Sequence, residues 1–293
     1  MMRTALNLFR GAKQQLLVAA VIGLGALTSH GATVAHWNFE DGTAGVPFTP
    51  TGQPDGSGGT HDTANNILMR GWNDFYGPGF SNFVTTNGGK LSMQNADNHQ
   101  DGYVLEGALH NWSPTAWTVE ATIYLESLGG WNSLIGRDGS TVSSPEGDFY
   151  LQNNGIDDKF RINFVTAGGQ RWVMDGDYAP QANKWYGIAV VSDGVMLSML
   201  LDDGTGYQQI GSLDMSTQTV AQNALKSSAL NWTFGRGWYN GGFVDHIDGY
   251  MDNIRFSDVA LSANQLIGIV PEPSSMLLML ASIGLLAGRR GRG

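Results

Sequence analysis

Eight Asp-Gly dipeptides punctuate this chain, beginning at Asp41, Asp55, Asp101, Asp138, Asp175, Asp193, Asp203 and Asp248. Asp and Gly reach positive φ at low cost, so the pair favours a tight reversal between strands. Between these reversals lie short runs rich in β-branched and aromatic residues. A chain cut at that rhythm has no room for long helices, and it predicts many short antiparallel strands. The clearest is Trp117 to Glu126. Trp117, Val119, Ala121, Ile123 and Leu125 alternate with Thr118, Glu120, Thr122, Tyr124 and Glu126, which is period two with one face buried.

Further strands are predicted at Val34–Phe39, Asn132–Arg137, Asp148–Gln152, Phe160–Val165 and Arg171–Met174. Lys184–Ser192 and Val195–Leu201, joined by Asp193-Gly194, read as a hairpin of two buried strands, and Asn231–Arg236 and Gly249–Phe256 close the set. Helix is expected only at Ser216–Ser227 and in a short turn at Ser262–Ile267, and Gly52–Thr63 reads as a long polar loop. The fold class is therefore all-β, a two-sheet antiparallel jelly-roll sandwich.

The ends read differently. Arg3, Arg10 and Lys13 precede an uncharged run of 12 residues from Leu16 to Leu27, and Ser29-His30-Gly31-Ala32 supplies small residues for cleavage. A stable membrane helix needs roughly 20 apolar residues, so residues 1–32 are expected to be a signal peptide. At the other end Pro271-Glu272-Pro273 precedes an apolar run of 12 residues, Met276 to Ala287, and then Arg289, Arg290 and Arg292. The prolines interrupt any preceding element, and the arginines stay cytoplasmic by the positive-inside rule. The domain plan is a signal segment 1–32, one β domain 33–270 and a terminal segment 271–293, with a hydrophobic helix in each flank. The middle carries ten basic residues against 25 acidic ones, a net charge of −15. That excludes a nucleic-acid partner, because nothing here would neutralise a row of phosphates. The chain has no Cys, which removes disulfides, thiolate metal sites and thiol nucleophiles together.

The terminal order of Pro-Glu-Pro, short apolar run and Arg cluster resembles the PEP-CTERM sorting signal of exported proteins in Gram-negative bacteria. The resemblance implies transient insertion in the inner membrane and cleavage by an exosortase-type sorting protease. It further implies a destination at the cell surface or in the extracellular matrix. Four stretches of the middle resemble the laminin-G-like family of concanavalin A-like jelly rolls: Ala35 to Gly42; Trp117 to Leu125 with Leu134 to Gly139; Lys184 to Val191 with Leu200 to Gly204; and Phe234 to Arg236 with Asp248 to Phe256 and Ala260 to Ser262. This resemblance implies two curved sheets whose first and last strands are neighbours. It also implies one of three roles: glycan or polymer binding without catalysis, a structural matrix component, or a divergent glycoside hydrolase.

Retaining glucanases need two carboxylates about 5–5.5 Å apart. Laminarinase-type members of the family meet this with Glu-x-Asp-x-x-Glu. Here Glu146-Gly147-Asp148-Phe149-Tyr150-Leu151 has Leu at the third acid, and Glu146 and Asp148 read as solvated loop acids. Glu120 and Glu126 share a face about 20 Å apart. No nucleophile elbow or phosphate loop is present, and Asp245-His246 near Asp248 reads as turn chemistry. A binding module is thus the leading expectation.

Calcium takes six to eight oxygens, mixing carboxylates and carbonyls. Related jelly rolls hold a structural calcium where first and last strands meet, which implies Glu40, Asp41 and Asp252 as ligands. Sugar binding uses exposed aromatic rings on loops. The candidates are Trp72, Trp112, Trp131 and the Trp238-Tyr239-Asn240 loop, against the alternative that such rings cap the core. Trp37, Trp117 and Trp185 sit in strand patterns and are expected in the core.

Overall fold

The computed structural model describes residues 32–47, 59–73, 82–86, 89–95, 100–139 and 146–269. The expected signal and sorting helices, and the motif at Pro271, lie outside these residues. Two eight-stranded antiparallel sheets make up the domain. The first contains β1 (Thr33–Trp37), β4 (Asn82–Thr86), β5 (Lys90–Asn95), β7 (Trp117–Leu125), β12 (Trp185–Ser192), β13 (Met196–Asp202), β14 (Gln208–Asp214) and β18 (Gly249–Ser257). Its order is β14-β13-β12-β7-β18-β5-β4. The strands β1 and β5 share one edge of β18: β1 pairs with its Ile254–Ser257 end and β5 with its Gly249–Met251 end. Asn253, at φ 49°, marks the break between them. The first and last strands are therefore neighbours.

The second sheet runs β11-β10-β9-β8-β15-β6-β3-β2. Its strands are β2 (Thr60–His61), β3 (Leu68–Asn73), β6 (Gln100–Val104), β8 (Asn132–Arg137), β9 (Phe149–Asn153), β10 (Phe160–Val165), β11 (Arg171–Asp175) and β15 (Trp232–Phe234). A separate hairpin is formed by β16 (Gly237–Tyr239) and β17 (Gly242–Val244). Aromatic side chains join the inner faces. Trp117 of the first sheet meets Phe149 and Phe164 of the second at 5.9 and 5.3 Å, and Phe256 meets Trp232 at 4.8 Å. Trp37 and Trp117 are fully buried. Edge-to-face rings of this kind dominate a core without disulfides.

Three expectations are corrected. Ser216–Ser227 forms turns, not a helix. Its polar side chains bond the local backbone instead: Gln222 Oε1 accepts the Thr219 N–H at 3.0 Å, and the Thr219 hydroxyl oxygen accepts the Gln222 N–H at 3.3 Å. That competition is why such residues disfavour helix. Thr60–His61, read as loop, is β2. Not every Asp-Gly is a turn, either. Gly194 and Gly204 have φ of 85° and 107°, but Asp101-Gly102 lies within β6. Gly249, at φ 155°, opens β18, where a Cβ would run into the Tyr124 carbonyl oxygen.

From Thr118 to Thr122 the outer face of β7 is buried as well as the inner one, and residues 258–269 cross it there. The Thr118 hydroxyl donates to the Val259 carbonyl and accepts the Leu261 N–H. The Glu120 carboxylate pairs with Arg255 and accepts the Ile267 N–H at 2.7 Å. Asp202 accepts the Ile269 N–H at 3.2 Å. This strap ends the described chain.

Candidate functional site

The second sheet leaves its outer face partly open. Alternation along Phe160–Val165 puts Phe160, Ile162 and Phe164 inward and Arg161, Asn163 and Val165 outward. Register then fixes what lies beside them. Arg161 is opposite Gln152 and Asp175, and Asn163 is opposite Tyr150 and Val173. The open outer surface thus carries a field of side chains, Arg161 and Asn163 of β10 with Arg171, Val173 and Asp175 of β11, while Tyr150 and Gln152 of β9 are buried.

The β16–β17 hairpin folds over one side of this field. An Asn240-Gly241 turn, with φ of 50° and 86°, sets its tip. The Tyr150 hydroxyl donates to the Trp238 carbonyl, which also accepts the Gly147 N–H at 3.1 Å. Burial pushes the Tyr150 hydroxyl up to about 12, so it remains a donor at any ordinary pH. Under the hairpin, Arg236 binds Asp138 at 2.6 Å and Asp101 at 3.1 Å, and its guanidinium lies 3.8 Å from the Phe243 ring centroid. This enclosed network anchors the hairpin and is closed to a ligand.

Where the hairpin ends, a cavity of about 260 Å³ opens between the β7–β8 and β17–β18 loops. Ser127, Trp131, Asn132, Asp245, His246 and Asp248 line it. Trp131 is half-buried, with the Arg161 guanidinium over its ring at 5.3 Å. Arg161 is held in turn by both oxygens of Asp175, at 2.6 and 2.8 Å. That pair lowers the Asp175 carboxyl below its usual range. Burial raises the Asp245 carboxyl instead. Asp245 also takes φ 56°, and its carbonyl accepts the Ser133 N–H at 2.7 Å. Along the open field from this cavity, Arg171 reaches Asn163 at 2.6 Å and Glu146 at 3.1 Å. A flat ring, two acids, an amide and a hydroxyl around one cavity suit a small polyhydroxylated ligand better than an apolar one.

The predicted site residues are distributed unevenly. Trp131 lines the cavity. Trp238, Tyr239 and Asn240 form the hairpin arm. Tyr239 is 53% exposed, whereas the Trp238 ring packs on Phe243 at 5.8 Å and supports the hairpin. Trp112 is corrected to a core residue: it is buried against Trp232 and Phe256 at 6.1 and 5.7 Å, out of reach of a ligand. Trp72 lies in β3 opposite Asp101, and its side chain is outside the described residues. Trp185 is buried, but on the outer face of the first sheet against Tyr124 rather than in the inter-sheet core.

The structure does not bring Glu40, Asp41 and Asp252 together. Glu40 accepts the Leu91 N–H, Asp41 binds Thr60 and His61, and Asp252 is buried within β18, where it accepts the Asn253 N–H. Among the described residues no group of three or more acids or histidines is placed to hold a metal ion. Asp148 is also corrected. It is buried and takes Lys226 at 2.9 Å, with Arg137 at 4.0 Å. Sequence reasoning missed Arg161, Asn163 and Arg171, although the strict alternation of β10 puts Arg161 and Asn163 on the outer face, and it set Asp245 aside as turn chemistry.

Comparison with known proteins agrees with this architecture. The sequence profile described as the concanavalin A-like lectin/glucanases superfamily matches residues 97–267. No curated protein matches the sequence. Among solved structures, the fold is similar to domain 4 of AbnA, a GH43 extracellular arabinanase from Geobacillus stearothermophilus, in complex with arabinotriose. That match has a TM-score of 0.56 at 13% identity, over 82% of this chain and 99% of the other. It is also similar to the botulinum neurotoxin serotype C1 binding domain, with a TM-score of 0.51 at 8% identity, over 80% of this chain and 50% of the other.

Proposed function

The chain belongs to the concanavalin A-like lectin/glucanase superfamily, and on that footing we propose that it is a non-catalytic glycan-binding module whose ligand lies in the cavity between the β7–β8 and β17–β18 loops. The observation that carries this reading is the cavity at Trp131. A sugar ring has an apolar C–H face, which stacks on a flat aromatic ring, and a rim of hydroxyls. Here Asp245, Asp248 and Asn132 surround that stacking position. Carboxylates accept hydrogen bonds from hydroxyls, and the Asn132 amide, which gives one N–H to the Gly130 carbonyl at 3.2 Å, brings an acceptor oxygen. The cavity suits about one sugar unit, and the Asn163–Arg171 row gives further units a polar track. Arabinotriose, the ligand named for the AbnA domain, is a reasonable first probe among neutral oligosaccharides.

The proposal is of binding without catalysis, and three acids along the field are committed to cations. Glu146 pairs with Arg171, Asp148 with Lys226 and Asp175 with Arg161. We further propose export through residues 1–32 and processing at Pro271-Glu272-Pro273 by an exosortase-type protease, with the product at the cell surface or in the matrix. The order of sequence features supports that part alone, and the mass of the secreted protein tests it.

Calorimetric titration with arabinotriose and a panel of neutral oligosaccharides tests the binding role. At least one is expected to bind, without release of reducing sugar, and Trp131→Ala is expected to weaken it about ten-fold. Sugar release would restore the hydrolase reading. Binding to none would remove the glycan role.

A further inference from the structure

The first sheet carries an aromatic cluster on its outer face that the glycan cavity does not use. Register places Trp185 of β12 opposite Tyr124 of β7, and Tyr124 opposite Tyr250 of β18. The rings converge, with centroids 5.5 Å apart for Trp185–Tyr124 and for Tyr124–Tyr250, and 6.4 Å for Trp185–Tyr250. Gln94 of β5 continues the row beyond Tyr250. The strap at 258–269 covers this face over Thr118 and Glu120 and reaches Asp202, whose partner in register is Gly187. The aromatic row lies two residues farther along β12, past the points where the strap is bonded. Tyr124 and Tyr250 are accordingly left half-exposed.

Polar groups border the rings. The Tyr124 hydroxyl donates to the Asn183 side-chain oxygen at 3.4 Å, and Glu126 and Gln94 flank the Tyr250 hydroxyl. Rings in mutual contact leave no gap for a cation, so this is a platform and not a cage. The border also argues about charge. Glu126 is exposed, and the domain carries −15 overall. An acidic polymer would be repelled. A neutral hydroxylated chain meets ring faces and hydrogen-bond acceptors without that cost.

We propose that the Trp185–Tyr124–Tyr250 cluster is a second contact surface for a neutral glycan chain, on the outer face of the first sheet. Its ligand class rests on the glycan-binding reading, whereas its position does not. Two contact surfaces on one domain give avidity on a polymer that a short oligosaccharide does not offer.

Affinity electrophoresis of the purified protein tests this, in native gels containing arabinan, mixed-linkage β-glucan or, as an acidic control, polygalacturonate. The unaltered protein is expected to be retarded by at least one neutral polymer and not by the acidic one. The Tyr124→Ala, Tyr250→Ala double variant is expected to lose about ten-fold or more in apparent affinity for that polymer. Tyr124→Phe with Tyr250→Phe is expected to keep it, since stacking needs the rings. Melting curves check folding, and Tyr124→Thr with Tyr250→Thr, which keep strand propensity, replace the Ala pair if that pair unfolds. Unchanged retardation of the Ala or Thr pair would overturn the second surface, as would retardation by polygalacturonate alone or by no polymer. Trp131→Ala separates the two ideas. If it binds polymer normally while the Tyr variants do not, the cavity reading fails and the second surface stands.

Discussion

The two sheets present opposite solutions on their outer faces. The first is closed at its centre by a strap that bonds through backbone N–H groups to Thr118, Glu120 and Asp202. The second is crossed by a hairpin that rests on Tyr150 and Arg236 and stops short of β10 and β11. Both covers bury charge, but only the second leaves paired, half-exposed polar groups beside a cavity. The difference teaches that charge on this domain has two roles. Where every partner is internal it fixes a cover in place. Where pairs such as Arg161–Asp175 and Arg171–Glu146 reach solvent, it builds a surface that hydroxyls can join.

The contrast breaks most sharply at Arg236. Removing it leaves Asp101 and Asp138 buried without their cation, and Arg236→Met is expected to cost about 3–5 kcal/mol in urea unfolding. A cost near zero would mean that the hairpin's charge network is dispensable. On the strap side, Glu120→Ala is expected to cost about 2 kcal/mol, since it leaves the Ile267 N–H and the Arg255 guanidinium without this acceptor. It should also speed amide exchange at Ile267. Burial raises the Glu120 carboxyl above its ordinary 4.5, so the folded state holds its proton more tightly. Stability from this group is therefore greatest below pH 4.5 and declines as pH rises through the raised value.

The second sheet sharpens the comparison through two aspartates of opposite sign. Asp175 is lowered by Arg161, so its stabilisation is present above pH 3.8 and lost as pH falls through its folded value. Asp245 is raised by burial, so its contribution is full below 3.8 and is lost as pH rises through its folded value. Asp245→Asn should then be more stable than the unaltered protein at neutral pH yet bind glycan less well. Asp175→Asn should be less stable there. Equal melting profiles would show that the two sites do not differ in this way. The smallest effect concerns calcium. A specific site at hundredfold excess over its dissociation constant adds about 2.7 kcal/mol. With Glu40 and Asp41 already engaged by Leu91, Thr60 and His61, melting with calcium and with chelator is expected to coincide.

Strands from Trp117 to Asp202 were legible because strict alternation meets strong turns there. Trp117–Leu125 and Phe160–Val165 fall within a residue of their predicted limits. Strands β3 to β6 and β14 were not legible. Gln-Gln-Ile-Gly-Ser-Leu-Asp has too few apolar residues to show a period, because β14 is an edge strand with little to bury. Trp112 was misread because burial of a loop ring depends on Trp232 and Phe256, more than a hundred positions away. The cavity was half legible. Trp131 stood out by its glycine neighbours, but Asp245 joins it only through the β17–β18 loop. The Asn240-Gly241 turn was a local signal for the hairpin, and it passed unused.

The glycan role turns on one comparison: binding of the unaltered protein and of the Trp131→Ala, Asp245→Ala double variant across an array of neutral oligosaccharides. The account predicts that at least one glycan binds the unaltered protein and is lost from the variant, with both proteins folded. Equal binding by the two, or no binding by either, would contradict it.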